Sequence, residues 1–190
     1  MIFRGRITSS GFESGDSLVI GDWIESPLGE FTNIMWSKPD GTRVLISPSP
    51  DHANFVSSLY DFDEVVVTEI IVKRKMKMVS IKTDYIEASM SWGVLFPLPI
   101  PRPLWFISSI ENIFGKTFFG SSTYGIARDG SREWYSIRGI SRVFNAEAKA
   151  PDSDFGKIAK TSFSKPFGFS SPPKTPTSII VNSYIDREKA

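Results

Sequence analysis

The sequence predicts a mainly β (α+β) fold: a single antiparallel β-barrel or strongly curved sheet with two short helices. Three observations carry this reading. Apolar residues recur in short runs dense in Val, Ile, Phe and Trp, the residue types that suit a pleated, half-buried surface. Asp-Gly dipeptides at Asp40-Gly41 and Asp129-Gly130 separate such runs as hairpin turns do. Helical spacing appears in only two stretches, about 50–60 and 104–114.

A chain of 190 residues is expected to form a single domain over 1–190 and can bury a core without metal or disulfide. Its 41% hydrophobic and 23% charged content is that of a globular protein. Twenty-two basic residues face 21 acidic ones, a balance that predicts no nucleic-acid partner. The absence of cysteine excludes disulfides, thiol nucleophiles and thiolate metal sites. The first residues lack the apolar core of a signal peptide, and no apolar run reaches the ~18 residues of a membrane span, so no transmembrane segment and a cytoplasmic location are expected. A homo-oligomer is compatible with this composition.

Taken in order, Leu18-Val19-Ile20 is a short apolar run between Gly15 and Gly21. Phe31–Lys38 and Arg43–Ser47 flank Pro39-Asp40-Gly41 as a hairpin. Ser49 is placed to cap a helix, with Pro50 at its first position and Asp51 beside its positive end. Phe55, Val56, Leu59 and Tyr60 then share one helical face. Glu64–Ile71 is apolar on both alternating faces, which predicts a strand covered on both sides. Lys73–Ile81 reads as a half-exposed strand with the lysines on one face and Met76 and Met78 on the other, and Tyr85–Trp92 continues in strand fashion.

Residues 94–106, VLFPLPIPRPLWF, combine four prolines with large apolar residues. Length and proline content exclude a membrane span, and the apolar flanks argue against an exposed proline-rich ligand. A stiff, mostly buried crossover with Phe96, Trp105 and Phe106 hidden and Arg102 exposed is expected; the alternative is a membrane contact or pocket lid. A helix over 104–114 follows, then a hairpin of Thr123–Ala127 and Glu133–Ile137 about Asp129-Gly130, and strands at Arg142–Ala148 and Ser178–Ile185. Residues 150–177, rich in Pro, Ser and Phe, read as an irregular segment within the domain. The two hairpins share Asp-Gly-[Ser/Thr]-Arg, compatible with two similar halves, although Asp-Gly is also simply the favoured hairpin dipeptide.

Few residues mark chemistry. The stretch FGKT at 114–117 lacks the earlier glycine of a phosphate loop. His52 is the sole histidine, so no multi-histidine metal site exists, and a water-facing position near the helix cap is expected for it. Asp61, Asp63 and Glu64 cluster at a helix–strand junction, where acids are usually solvated turn residues. Lys73, Lys75 and Lys77 read as an edge defence against aggregation rather than an anion site. Arg43 and Arg132 follow the two turns in equivalent places and, if inward, would clamp an anionic group. With the hairpin aromatics Trp36, Trp134 and Tyr124 they form the candidate ligand-binding set; no catalytic residue, metal or cofactor is indicated.

The general make-up is similar to that of lipocalin-like proteins, without a motif to carry the comparison. The function expected is binding of a small, largely apolar or amphipathic ligand in the barrel interior. The alternatives are a metal-independent enzyme using carboxylate, lysine or tyrosine chemistry, and a structural or protein-interaction module. An enzyme should bury a shifted acid or lysine in a cavity; a binder should have an apolar cavity with few polar groups.

Overall fold

A computed structural model describes residues 1–97, 124–169 and 171–187. The described residues are mostly β, with one short helix. In chain order they form β1 (Ile2–Phe12), β2 (Ser17–Glu25), β3 (Phe31–Ser37), β4 (Arg43–Ser47), α1 (Pro50–Leu59), β5 (Glu64–Val67), β6 (Ile71–Lys75), β7 (Met78–Lys82) and β8 (Glu87–Trp92). There follow β9 (Phe96–Pro97), β10 (Tyr124–Ile126), β11 (Arg132–Ala150), β12 (Ser153–Asp154), β13 (Ile158–Ala159) and β14 (Thr177–Asp186). The main strand order is β5-β4-β3-β2-β1-β14-β11-β8-β7-β6, a strongly curled half-barrel sheet.

The curl has its origin in β11. Residues 132–142 of this 19-residue strand pair with β14, and residues 143–149 pair with β8. Register shifts at Ile137/Gly139 and Val143/Asn145 bend the strand between the two partners, as bulges do. The sheet therefore folds over, and its two ends pack face to face. Even-numbered side chains of the first strands (Leu18, Ile20, Ile34, Val44, Ile46) meet Val79, Ile81, Ala88, Met90 and Trp92 of β7 and β8 in one buried cluster with Phe155. Arg74 of β6 reaches across to Asp22 of β2, with Nη2 to Oδ1 at 2.7 Å and Nε to Oδ2 at 2.9 Å.

Odd-numbered side chains of the same strands point to the opposite face, because successive residues of a strand alternate. That face carries a second cluster of Phe3, Phe31, Leu45 and Ile185, covered by Val56 and Leu59 of α1. The helix starts as the sequence predicts: the Ser49 side chain accepts from the His52 amide, and Pro50 opens the first turn. It serves as the crossover between β4 and β5, which pair in parallel.

Both predicted hairpins form. Gly41 and Gly130 have φ of +87° and +84°, the left-handed conformation such turns demand of glycine. The Asp40-Gly41 turn joins β3 to β4 near one end of the strand order, whereas Asp129-Gly130 joins β10 to the central β11.

Several expectations are corrected. β5 is an exposed edge strand, with Val65 and Val67 half in solvent, because it ends the strand order and pairs with β4 alone. The segments buried on both faces are instead the second half of β1, most of β2 and most of β3 and β4. Residues 73–81 form a hairpin, not one strand, and Met76 at its tip is 90% exposed. The strands expected at 133–137 and 142–148 are one continuous β11. At the start of the proline-rich stretch, Val94 and Phe96 are exposed rather than buried. The remainder of that stretch, including Arg102, Trp105 and Phe106, and the helix expected over 104–114 lie outside the described residues.

Candidate functional site

The odd-numbered face of β1, β2, β3, β11 and β14 does not close onto α1 completely. Between them lies a cavity of about 180 Å³. Its walls are apolar over most of their extent: Ile7, Val19, Met35, Ile137 and Ile179 from the strands, Phe55 and Val56 from α1. Phe167 and Pro172-Pro173 complete the lining. Phe3 organises the aromatic wall, stacking on Phe55 at 5.0 Å and meeting Trp23 edge-on at 5.8 Å. The Trp23 indole donates to Asn33 Oδ1 at 3.1 Å, which fixes both polar groups inside the apolar surface.

One end of the cavity is polar. Glu133, only 2% exposed, projects into it from β11. Tyr60 follows the last residue of α1, and its hydroxyl lies 2.9 and 2.8 Å from the two carboxyl oxygens of Glu133. Ser183 donates to the same carboxyl at 2.8 Å. The Tyr135 hydroxyl is bonded to that of Tyr60. The register explains the grouping: Tyr135 sits directly opposite Ser183, and Glu133 is two residues before Tyr135 on the same face.

Burial raises the Glu133 carboxyl above the usual carboxylate range, because the ionised form loses its water; the hydroxyls of Tyr60, Ser183 and Tyr135 partly oppose this. Burial, reinforced by the Glu133 charge, pushes both phenols well above their ordinary values. The tyrosines therefore stay protonated as donors across the ordinary pH range. A carboxyl that holds its proton tightly, bonded to one phenol and through it to a second beside an apolar cavity, can bind a polar group or pass it a proton. Among the described residues, no group of three or more His, Asp or Glu side chains is arranged to hold a metal ion. No helix among them is long and apolar enough to cross a membrane.

The residues singled out in the sequence lie elsewhere. Arg43 grips Asp63 through Nε at 3.0 Å and Nη2 at 3.1 Å, and Nη1 donates to the Pro166 carbonyl. This pairing holds the Asp63 carboxyl at about 2. Asp61 faces Arg128 at 3.6 Å, so the acidic pair is split between two arginines. Arg132 pairs with Asp186 at 3.0 Å and lies over the Trp134 ring, on which Tyr124 also packs. Trp36 donates to Asp16 at 2.7 Å and packs on Phe155 on the other face of the sheet. None of the five lines the cavity. Strand parity is the reason: Trp36 and Trp134 occupy even positions, and both arginines are drawn to carboxylates at strand ends. His52 is a further correction, since it is tied rather than solvated, with Nδ1 at 2.6 Å from Ser49 Oγ and Nε2 at 3.2 Å from the Leu28 carbonyl.

The sequence reading missed Glu133, Tyr60, Tyr135 and Ser183 as a group. A signal existed: Glu133, Tyr135 and Ile137 alternate with Trp134 and Ser136, which places an acid on the same strand face as a tyrosine and an isoleucine.

No protein-family model matches the chain, and no curated protein matches it. Solved structures are similar to it, two acetoacetate decarboxylases among them. A crystal structure of acetoacetate decarboxylase from Legionella pneumophila subsp. pneumophila str. Philadelphia 1 is 9% identical, with 100% of this chain and 86% of that one covered at a TM-score of 0.43. A second acetoacetate decarboxylase structure is 10% identical, with 97% and 86% covered at a TM-score of 0.47.

Proposed function

We propose that the protein binds a small, largely apolar molecule in the cavity between the sheet and α1. The observation that carries this reading is the lining itself: predominantly aliphatic and aromatic surface, with a hydrogen-bonded cluster of Glu133, Tyr60, Tyr135 and Ser183 on one side. Its 180 Å³ exceeds the roughly 150 Å³ of an apolar protein cavity that takes up benzene, so a single-ring molecule fits. The test is calorimetric titration with benzene or a similar small hydrocarbon, alongside an Ile7→Phe variant that fills the cavity. Binding with a negative heat-capacity change in the natural chain, lost in the filled variant, is expected. Equal binding by both chains overturns the assignment.

A second reading, a metal-independent enzyme, is favoured by one observation: the buried Glu133 carboxyl, with its raised pKa, opens onto that cavity. Glu133 would act as the acid or base, and Tyr60 and Tyr135 would orient the reacting group. No lysine lines the cavity among the described residues, so the carboxylate and tyrosines carry this reading. Glu133→Gln separates the two. An enzyme turns its substrate over and loses that turnover in the variant, whereas a binding protein shows no turnover in either chain.

A further inference from the structure

Granted that the cavity binds a ligand, a count of protons at its polar end narrows the ligand's chemistry. Four side chains meet there, one carboxyl and three hydroxyls: Glu133, Tyr60, Tyr135 and Ser183. Tyr60 and Ser183 donate to the carboxyl at 2.8 Å, and the two phenols are bonded to each other. Among the described residues no Lys, Arg or His lines the cavity.

With the carboxyl ionised, the cluster holds three hydroxyl protons, and all are used internally. Tyr60 and Ser183 donate to Glu133, and Tyr135 donates to Tyr60. The cluster then offers only lone pairs, so a ligand group docked on it must bring a donor. With the carboxyl protonated there are four protons for three internal bonds, and one is left for a ligand acceptor. A hydroxyl group both donates and accepts, so it satisfies the cluster in either state. A ketone or ether satisfies only the protonated state. A carboxylate or phosphate would be a second negative charge where Glu133 is ionised and a lone buried charge without a cation where it is protonated, at a large desolvation cost in either state. We infer that the cavity selects an uncharged molecule bearing a hydroxyl group, an alicyclic alcohol or phenol of about single-ring size, and rejects carboxylates.

The experiment uses the full chain and three matched probes, cyclohexanol, cyclohexanone and cyclohexanecarboxylate, titrated calorimetrically near neutral pH, with benzene as the apolar reference. Cyclohexanol should bind tightest and the carboxylate at least about tenfold more weakly, the consequence of an unpaired buried charge. Cyclohexanone should fall between them. In Glu133→Gln the amide always supplies extra N–H protons, so the alcohol-over-ketone ratio should shrink. Ser183→Ala removes an internal donor and should widen that ratio, which serves if the glutamine variant folds poorly. A carboxylate that binds as tightly as the alcohol overturns the inference, as does a ketone that outcompetes it. Benzene binding with no advantage for cyclohexanol sinks the inference alone. If none of the four probes binds, the cavity reading falls and the inference with it.

Discussion

Tyr60, at the end of α1, and Glu133, on β11, are joined by a phenol that lies within 2.9 Å of both carboxyl oxygens. This bond ties the helix to the centre of the sheet across the mouth of the polar cluster. Tyr60→Phe removes the hydroxyl and leaves a buried carboxyl short of a donor. A loss of about 1–3 kcal/mol is expected, the cost of an unsatisfied buried group. Denaturant unfolding measures it, and an unchanged midpoint would show that the bond contributes nothing net.

The same carboxyl sets a dependence on pH. Its folded pKa is raised above the ordinary 4.5, so the folded state binds the proton more tightly than the unfolded chain does. The associated stability is fully present below the ordinary glutamate range and is lost as pH rises through the folded value. Glu133→Gln should therefore flatten the melting temperature as pH rises above the ordinary glutamate range, gaining relative to the natural chain as pH increases. Parallel pH profiles for the two proteins would contradict the burial argument.

At Asp63 the sign is opposite. Arg43 holds this carboxyl at about 2, so the pair stabilises the fold above the ordinary aspartate range and is lost as pH falls through the folded value. Asp63→Asn should lose stability at neutral pH, and the difference from the natural chain should vanish near pH 2. A difference that persists in acid would assign the effect to packing instead.

Arg74 and Asp22 bind the two ends of the sheet across the first core. Arg74 is partly exposed, so the coupling measured by a double-mutant cycle of Arg74→Ala and Asp22→Ala should be about 1 kcal/mol and should weaken in high salt. A coupling of zero would mean that apolar packing alone holds the fold closed.

Replacing Gly41 or Gly130 with valine forces a branched side chain into positive φ. Each change should cost roughly 1–3 kcal/mol. Unchanged melting in both variants would refute the turn geometry.

What could be read from the sequence was what local chemistry specifies. Ser49, Pro50 and the spacing of Val56 and Leu59 define α1, and Asp-Gly defines both turns, because each signal acts within a few residues. The layer in which a strand lies is not a local property. Glu64–Val67 has the β-branched content of a buried strand and yet forms an edge, since burial depends on which neighbours arrive from elsewhere in the chain. In β11, Arg138 and Gly139 look like an interruption between two strands, but the register shift at Ile137/Gly139 absorbs Arg138 and the strand continues. Arg43 and Arg132 drew attention because they are charged; Glu133 did not, because one acid after a hairpin turn resembles a surface residue until its strand parity is followed.

The position of β14 has a consequence for how the chain is made. Its two partners, β1 and β11, are synthesised before it, and β1 precedes it by most of the chain. Until residues 177–186 emerge, the nascent chain carries two open strand edges at what will become the middle of the sheet. Such edges invite pairing with other chains, and contacts of this sequence separation form slowly. The cavity shares this timing, because Ile179, Ser183 and Ile185 of β14 supply part of its wall. A ligand therefore meets the complete cavity only after β14 has joined β1 to β11.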